Sequence, residues 1–226
     1  MAMAEMTPES VASEVEAFVS RVWDPDMTVG AWWQAMLDER WSHPSLPEHA
    51  YGRGFSLGLA LTAMRTLGRL DVIGPPPGLG FMLAAPTIAE HGTQAQIDHY
   101  LPRILNGTDA WCQLFSEPGA GSDLAGLQTR AERDGDEWIV SGQKVWTSGG
   151  RIADMGMLIA RTDPDAPKHA GISYFAIDMH QEPVEVRPLR EMTGRSMFNE
   201  VFLTEARVAD TSRIGGLGDG WRVANT

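Results

Sequence analysis

The sequence predicts an α+β chain of more than one domain: an all-α domain, then a β domain of barrel or sandwich type, then the opening of a further helix. Three observations predict it. Up to about residue 105 the apolar residues recur at helical spacings of three and four. From Trp111 the period drops to two, the period of a strand. After that, strand-like runs follow one another with turn residues roughly every eight to twelve positions. The expected organisation is a helical domain over 1–110, a β domain over 111–209, and the start of a third, helical domain over 210–226. A chain of 226 residues can hold one large or two ordinary domains.

In the helical part, Thr7-Pro8 reads as a start, a capping hydroxyl followed by proline at the first helical position. Val11, Val15, Phe18 and Val22 then form one apolar stripe, ended by Asp24-Pro25-Asp26. A second helix is expected from about Val29 to Trp41, with Trp33, Met36, Leu37 and Trp41 facing inward. Residues 42–54 read as an ordered loop rich in proline, glycine and histidine. A third helix spans Ser56 to about Leu70 and is apolar enough to be buried on most sides. Gly74-Pro-Pro-Pro-Gly78 interrupts, and a further helical stretch ends at Gly92, where a left-handed cap is expected. Thr93-Gln-Ala-Gln96 is a capping-box pattern opening a helix striped by Ile97, Tyr100, Leu101 and Ile104, with Pro102 as a possible kink.

In the β part, Leu127–Arg133 and Glu137–Trp146 flank Asp134-Gly135-Asp136, a strong hairpin signal. Further strands are expected at Met155–Arg161, Ile172–Asp178, Pro183–Pro188 and Glu200–Thr204. Gly215-Gly-Leu-Gly-Asp-Gly220 then leads into a helix that the sequence leaves unfinished at Thr226.

The bulk composition excludes several classes. A net charge of −12, with lysines and arginines scattered, argues against a nucleic-acid surface. One cysteine, Cys112, excludes an intrachain disulfide and any cysteine cluster, and it reads as a small core residue. The six histidines show no ligand spacing, so no metal site is expected. No secretion signal or membrane-length apolar run is visible, and the chain reads as a soluble cytoplasmic protein.

The stretch Trp111–Gly150 carries the chemistry. An apolar segment ends in Ser116-Glu117-Pro118, and the small residues Gly119-Ala-Gly-Ser122 follow, through which a backbone can approach an anion closely. About twenty residues later comes Lys144-Val-Trp-Thr-Ser148. On a strand, Trp146 and Ser148 share a face. A flat aromatic beside a hydroxyl suits a planar ring with polar edges, the shape of a flavin. A dinucleotide fingerprint is rejected, because Leu124 stands at the third-glycine position and strands follow where a helix should.

Ser116-Glu-Pro-Gly-Ala-Gly-Ser-Asp123 followed by Gly142-Gln-Lys-Val-Trp-Thr-Ser-Gly149 resembles the acyl-CoA dehydrogenase family. Supporting fragments occur in the family's order: Pro47–Gly54, His91-Gly-Thr93, Tyr100-Leu-Pro102, Met192-Thr-Gly194, Phe198–Leu203 and Gly218-Asp-Gly-Trp221. The resemblance implies a helical N-terminal domain, a middle β-barrel, and a C-terminal four-helix domain before which this sequence is truncated. It implies FAD, an acyl-CoA substrate, an electron-transfer flavoprotein as acceptor and a homo- or hetero-oligomer, with neither nucleic acid nor membrane as partner. By position, Leu114, Phe115 and Ser116 line the flavin, Gly121 and Ser122 meet the pyrophosphate or the phosphopantetheine side of the substrate, Trp146 covers one flavin face, and Ser148 bonds near its reactive edge. The family's catalytic base lies beyond Thr226, so no catalytic residue is assigned.

Glu117, although tempting as a base, reads as a local acceptor ordering its turn. Asp123 reads as a cap on the turn Leu124–Gly126, and Arg187, Arg190 and Arg195 as a solvated face. Trp33, Trp111 and Trp138 are assigned to packing. Two other functions share the pattern: an acyl-CoA oxidase or flavin monooxygenase of the same fold, and a non-catalytic structural subunit. The 226 residues alone are expected to be inactive.

Overall fold

The first helix, α1 (Pro8–Val22), starts at the expected cap. Thr7 Oγ1 accepts from the Ser10 amide at 3.2 Å, and Ser10 Oγ accepts from the Thr7 amide at 3.0 Å. The computed structural model describes residues 6–226, which form two compact units. One comprises the residues up to Pro77 together with Ile97–Thr108; the other comprises Gly78–Gln96 and Asp109–Thr226.

In the first unit, α1 packs on α3 (Leu57–Arg69), with α2 (Val29–Asp38) completing the core. Phe18 stacks on Trp32 at 5.2 Å between centroids, and Trp23 meets Trp32 edge-on at 4.9 Å. The inner tryptophan of α2 is therefore Trp32, fully buried, whereas Trp33 is half-buried. Helical spacing allows either stripe, 32–36 or 33–37, and the position of Phe18 on another helix decides between them. α2 also stops earlier than expected. Arg40 adopts a left-handed backbone, φ 61°, and this turn brings Trp41 into the core from beyond the helix. The Arg53 guanidinium lies 3.5 Å from the Trp41 ring centroid and bonds Glu14 at 2.9 Å.

In the second unit a π-helical turn, Gly80–Ala84, leads into α4 (Ala85–His91). Gly92 is not left-handed but extended, φ −77° and ψ 156°. Glycine fits there because a Cβ would lie 2.6 Å from the Ile88 carbonyl oxygen. The capping box at the start of α5 (Gln94–Leu105) is present: Gln96 Oε1 accepts from the Thr93 amide at 2.8 Å, and Thr93 Oγ1 from the Gln96 amide at 3.3 Å.

The strands are β1 (Trp111–Leu114), β2 (Arg130–Asp134), β3 (Glu137–Ser148), β4 (Met155–Arg161), β5 (Ile172–Asp178), β6 (Val184–Leu189), β7 (Phe198–Ala209) and β8 (Arg213–Ile214). They form one eight-stranded sheet in the order β6-β7-β3-β2-β4-β5-β8, with β1 added parallel to β4. A core cluster on this sheet includes Cys112, Leu114, Trp138, Val140, Leu158, Phe175 and Val201. β7 runs well beyond the expected Glu200–Thr204, pairing with β3 along nearly its whole length. Short α6 (Gly220–Ala224) follows the glycine loop. Among the described residues, no helix is long and apolar enough to cross a membrane.

Candidate functional site

The two segments singled out from the sequence meet where β1 ends. Beyond Leu114 the chain crosses β3, and the Ser116 carbonyl accepts from the Val145 amide at 2.8 Å. The next residue closes a tight loop on itself, with reciprocal bonds between Glu117 and Ala120 of 3.0 and 3.1 Å. The Glu117 side chain turns inward. Its carboxylate accepts from the amides of Gln128 (2.6 Å) and Thr129 (2.9 Å) and from Lys144 Nζ (2.9 Å). Lys144 Nζ also donates to the Phe115 carbonyl at 3.1 Å. Both side chains are buried, Lys144 fully and Glu117 to within 6%.

Burial pushes the Lys144 ammonium down to about 8. Burial alone would raise the Glu117 carboxyl; the ammonium beside it and the bonds from Thr129 and Gln128 outweigh this and hold it below the usual carboxylate range. Glu117 is thus an ionised organiser of its loop. Lys144 is the buried partner that the motif itself does not point to. A signal for it exists in the sequence: Trp138, Val140, Gly142 and Lys144 share one strand parity, and the first two face the core.

Past Lys144, β3 bulges. Lys144 pairs with Val201 but Thr147 with Asn199, so one extra residue stands on β3. Trp146 absorbs it with a left-handed backbone, φ 61°, a conformation costly for any residue but glycine. Its ring is 61% exposed and meets Phe198 edge-on at 5.8 Å. Ser148 is exposed too, while Thr147 between them is buried. The shared exposure of Trp146 and Ser148 comes by way of this bulge rather than from an unbroken strand. The Thr147 carbonyl accepts from Asn199 Nδ2 at 2.9 Å, but Thr147 Oγ1 and Asn199 Oδ1 are buried without partners.

The small-residue loop is open to solvent at Gly119, Gly121 and Ser122, and a Cβ at either glycine would meet nothing within 4 Å. Asp123 makes no capping bond; it pairs with Lys168 instead. The far end of the loop is held by Arg161, which donates to the carbonyls of Ala125 (2.7 Å) and Leu127 (3.3 Å). Leu114 does not present its side chain here: it is fully buried in the core, where its Cδ1 lies 2.7 Å from where a Cβ on Gly156 would be. Phe115 and Ser116 are half-buried, and Phe115 lines a hollow of about 70 Å³ with Met82, Leu83, Met157 and Tyr174. Arg187, exposed, forks onto Glu185 at 2.7 and 2.8 Å. Cys112 lies fully in the core, and burial pushes its thiol up to about 12.

An exposed indole, an exposed hydroxyl, a half-buried serine and an open glycine loop thus lie along the two segments that the buried Glu117–Lys144 pair joins. The whole chain also matches known proteins. Residues 1–108 match the model of the acyl-CoA dehydrogenase N-terminal domain, and residues 112–206 match that of the middle domain. The chain belongs to the acyl-CoA dehydrogenase family.

Among curated relatives, acyl-CoA dehydrogenase FadE34 of Mycobacterium tuberculosis is 50% identical over 191 residues, covering 84% of this chain and 26% of that protein. Acyl-CoA dehydrogenase IpdE1 of the same organism is 43% identical over 178 residues, covering 79% of this chain and 46% of that protein. Among solved structures, the ChsE4-ChsE5 complex from Mycobacterium tuberculosis aligns with a TM-score of 0.74 at 30% identity, over 99% of this chain and 60% of that one. The chain therefore spans about a quarter of the length of FadE34 and just under half that of IpdE1.

Proposed function

We propose that this chain is the flavin cradle of an FAD-dependent acyl-CoA dehydrogenase, which converts an acyl-CoA thioester to the enoyl-CoA. The observation that carries the reading is Trp146: a large aromatic held out to solvent on a left-handed backbone, beside exposed Ser148 and stitched through Val145 to Ser116. A strained, exposed tryptophan is poor economy for folding and good geometry for receiving a flat ring.

FAD, when bound, supplies the hydride acceptor for the β-hydrogen of the acyl chain. The residues of this chain orient it. Trp146 would stack on the ring, the hydroxyls of Ser116 and Ser148 would bond its polar edges, and Gly121 and Ser122 would receive the pyrophosphate or the phosphopantetheine arm. The apolar hollow beside Phe115, lined by Met82, Leu83 and Tyr174, takes part of the acyl group and excludes water from it. The proton from the α-carbon leaves to a carboxylate base outside these residues. Glu117 does not fill that role: its carboxylate is engaged by three donors and buried. An electron-transfer flavoprotein as acceptor, and assembly as a homo- or hetero-oligomer, complete the proposal.

The test is made in the full-length gene product. Trp146→Ala and Ser148→Ala should each lose flavin on desalting, visible as a fallen flavin absorbance per protein. Retention of full flavin content and an unchanged spectrum in both would refute the cradle.

A further inference from the structure

Phe115, Ser116 and Glu117 are consecutive, and each is bonded to Lys144 or to its neighbour Val145. The Phe115 carbonyl accepts from Lys144 Nζ at 3.1 Å, the Ser116 carbonyl from the Val145 amide at 2.8 Å, and the Glu117 carboxylate from Lys144 Nζ at 2.9 Å. The residue after Val145 is Trp146, where the backbone turns left-handed and β3 loses register with β7. The ion pair therefore lies at the junction of the two edges of the cradle. Resting on the flavin reading above, we infer that Lys144 is a positioning residue: with Glu117 it fixes the spacing between the Phe115–Ser116 edge and the Trp146–Ser148 edge, and so sets how tightly flavin is held.

The physical case turns on what such a pair supplies. A buried ion pair is a weak source of stability, because desolvating two charges offsets most of their attraction, and apolar replacements of similar size often fold as well. What apolar replacements cannot do is bond a backbone carbonyl and a carboxylate at once. Lys144 does both from a fully buried position. An ammonium carries three donors, so one atom can hold the Phe115 backbone and the Glu117 side chain together. Glu117 in turn carries the bond onward to the amides of Gln128 and Thr129, which ties the far end of the glycine loop to the same point. Removing both charges removes the spacer while leaving the volume filled. Stability and flavin affinity should then separate.

The experiment compares wild type, Lys144→Met, Glu117→Asp and the double variant Lys144→Met/Glu117→Gln in the full-length protein. Three quantities are measured: the FAD dissociation constant by flavin fluorescence, the visible circular dichroism of bound flavin, and the thermal midpoint of the apoprotein. In the double variant, the apoprotein midpoint should stay near wild type while FAD binds about tenfold or more weaker, about 1.4 kcal/mol or more, with an altered visible dichroism. Glu117→Asp keeps both charges but shortens one arm, and it should show the same separation in smaller degree even if the double variant does not fold. Lys144→Met alone leaves a buried unpaired carboxylate and should lose both stability and flavin. The inference is overturned if the double variant and Glu117→Asp, where folded, bind FAD with wild-type affinity and dichroism, or if their affinity falls only in step with apoprotein stability. Wild type that binds no FAD would instead sink the flavin reading itself.

Discussion

Replacing Trp146 by glycine and by alanine separates its backbone from its ring. Both changes delete the same indole, 61% exposed and in edge contact with Phe198, so both lose the same packing. They differ in the left-handed backbone at φ 61°. A residue with a Cβ spends about 1–2 kcal/mol to stay there. Glycine spends nothing on the conformation but gives up about 0.5–1 kcal/mol more chain entropy on folding. Trp146→Gly should therefore be more stable than Trp146→Ala, by up to about 1.5 kcal/mol. That order reverses the one expected in an ordinary strand, where glycine is the weaker residue. Urea unfolding of the flavin-free chain, followed by far-ultraviolet dichroism, reads the difference directly. An alanine variant as stable as the glycine variant, or more so, would refute the bulge as the device that holds Trp146 outward. In the full-length protein both variants should still lose flavin, because neither has a ring to stack.

Other consequences are local. Gly142→Ala places a Cβ 2.3 Å from Thr129 Oγ1 and 2.7 Å from its Cα, and should cost about 1–3 kcal/mol in denaturant unfolding. Gly119→Ala meets nothing within 4 Å and should change stability by less than about 0.5 kcal/mol. Thr147→Val removes a buried hydroxyl that has no partner and should leave stability unchanged or raise it by up to about 1 kcal/mol, read as the thermal midpoint. Glu117 is held below its ordinary value of 4.5, so its stabilisation is complete above that pH and is lost as pH falls through the lowered folded value. The stability gap between wild type and Glu117→Gln should therefore narrow as pH drops below 4.5, measured by unfolding across an acid series.

What is legible in the sequence is what depends on neighbours along the chain. The caps at Thr7 and Thr93 involve residues three apart, and both form as expected. β4 and β5 fall on the expected residues, because each is an unbroken run of strand formers between turns. The departures come from contacts made at long range. Trp32 rather than Trp33 faces inward because Phe18 and Trp23, on and after another helix, stack against it. Residue 92 is a glycine because a Cβ there would meet the Ile88 carbonyl, not because the backbone is left-handed. The bulge at Trp146 exists only in register with β7, more than fifty residues away in the chain.

The site divides in the same way. Motif spacing points to the Phe115–Ser116 and Trp146–Ser148 segments, and one backbone bond, from the Val145 amide to the Ser116 carbonyl, joins the two stretches. Glu117 is recognisable from its turn as an organiser of the loop, but its cation is not. A lysine in a strand is ordinarily read as solvent-facing, and here the partner carboxylate sits twenty-seven residues earlier. Leu114 lies deeper than its motif suggests: it belongs to the same segment as Phe115, but strand alternation turns its side chain into the core. Asp123, expected as a cap, reaches Lys168 across the loop instead.

Cradling flavin for acyl-CoA oxidation is the function we propose for this chain. The most direct test is to purify the full-length gene product with its flavin, add a panel of acyl-CoA thioesters without oxygen, and follow the flavin band near its absorbance maximum. Bleaching of that band by at least one saturated acyl-CoA, with the matching enoyl-CoA recovered, is the predicted result. A purified protein that carries no flavin, or whose flavin no acyl-CoA reduces, would contradict the account.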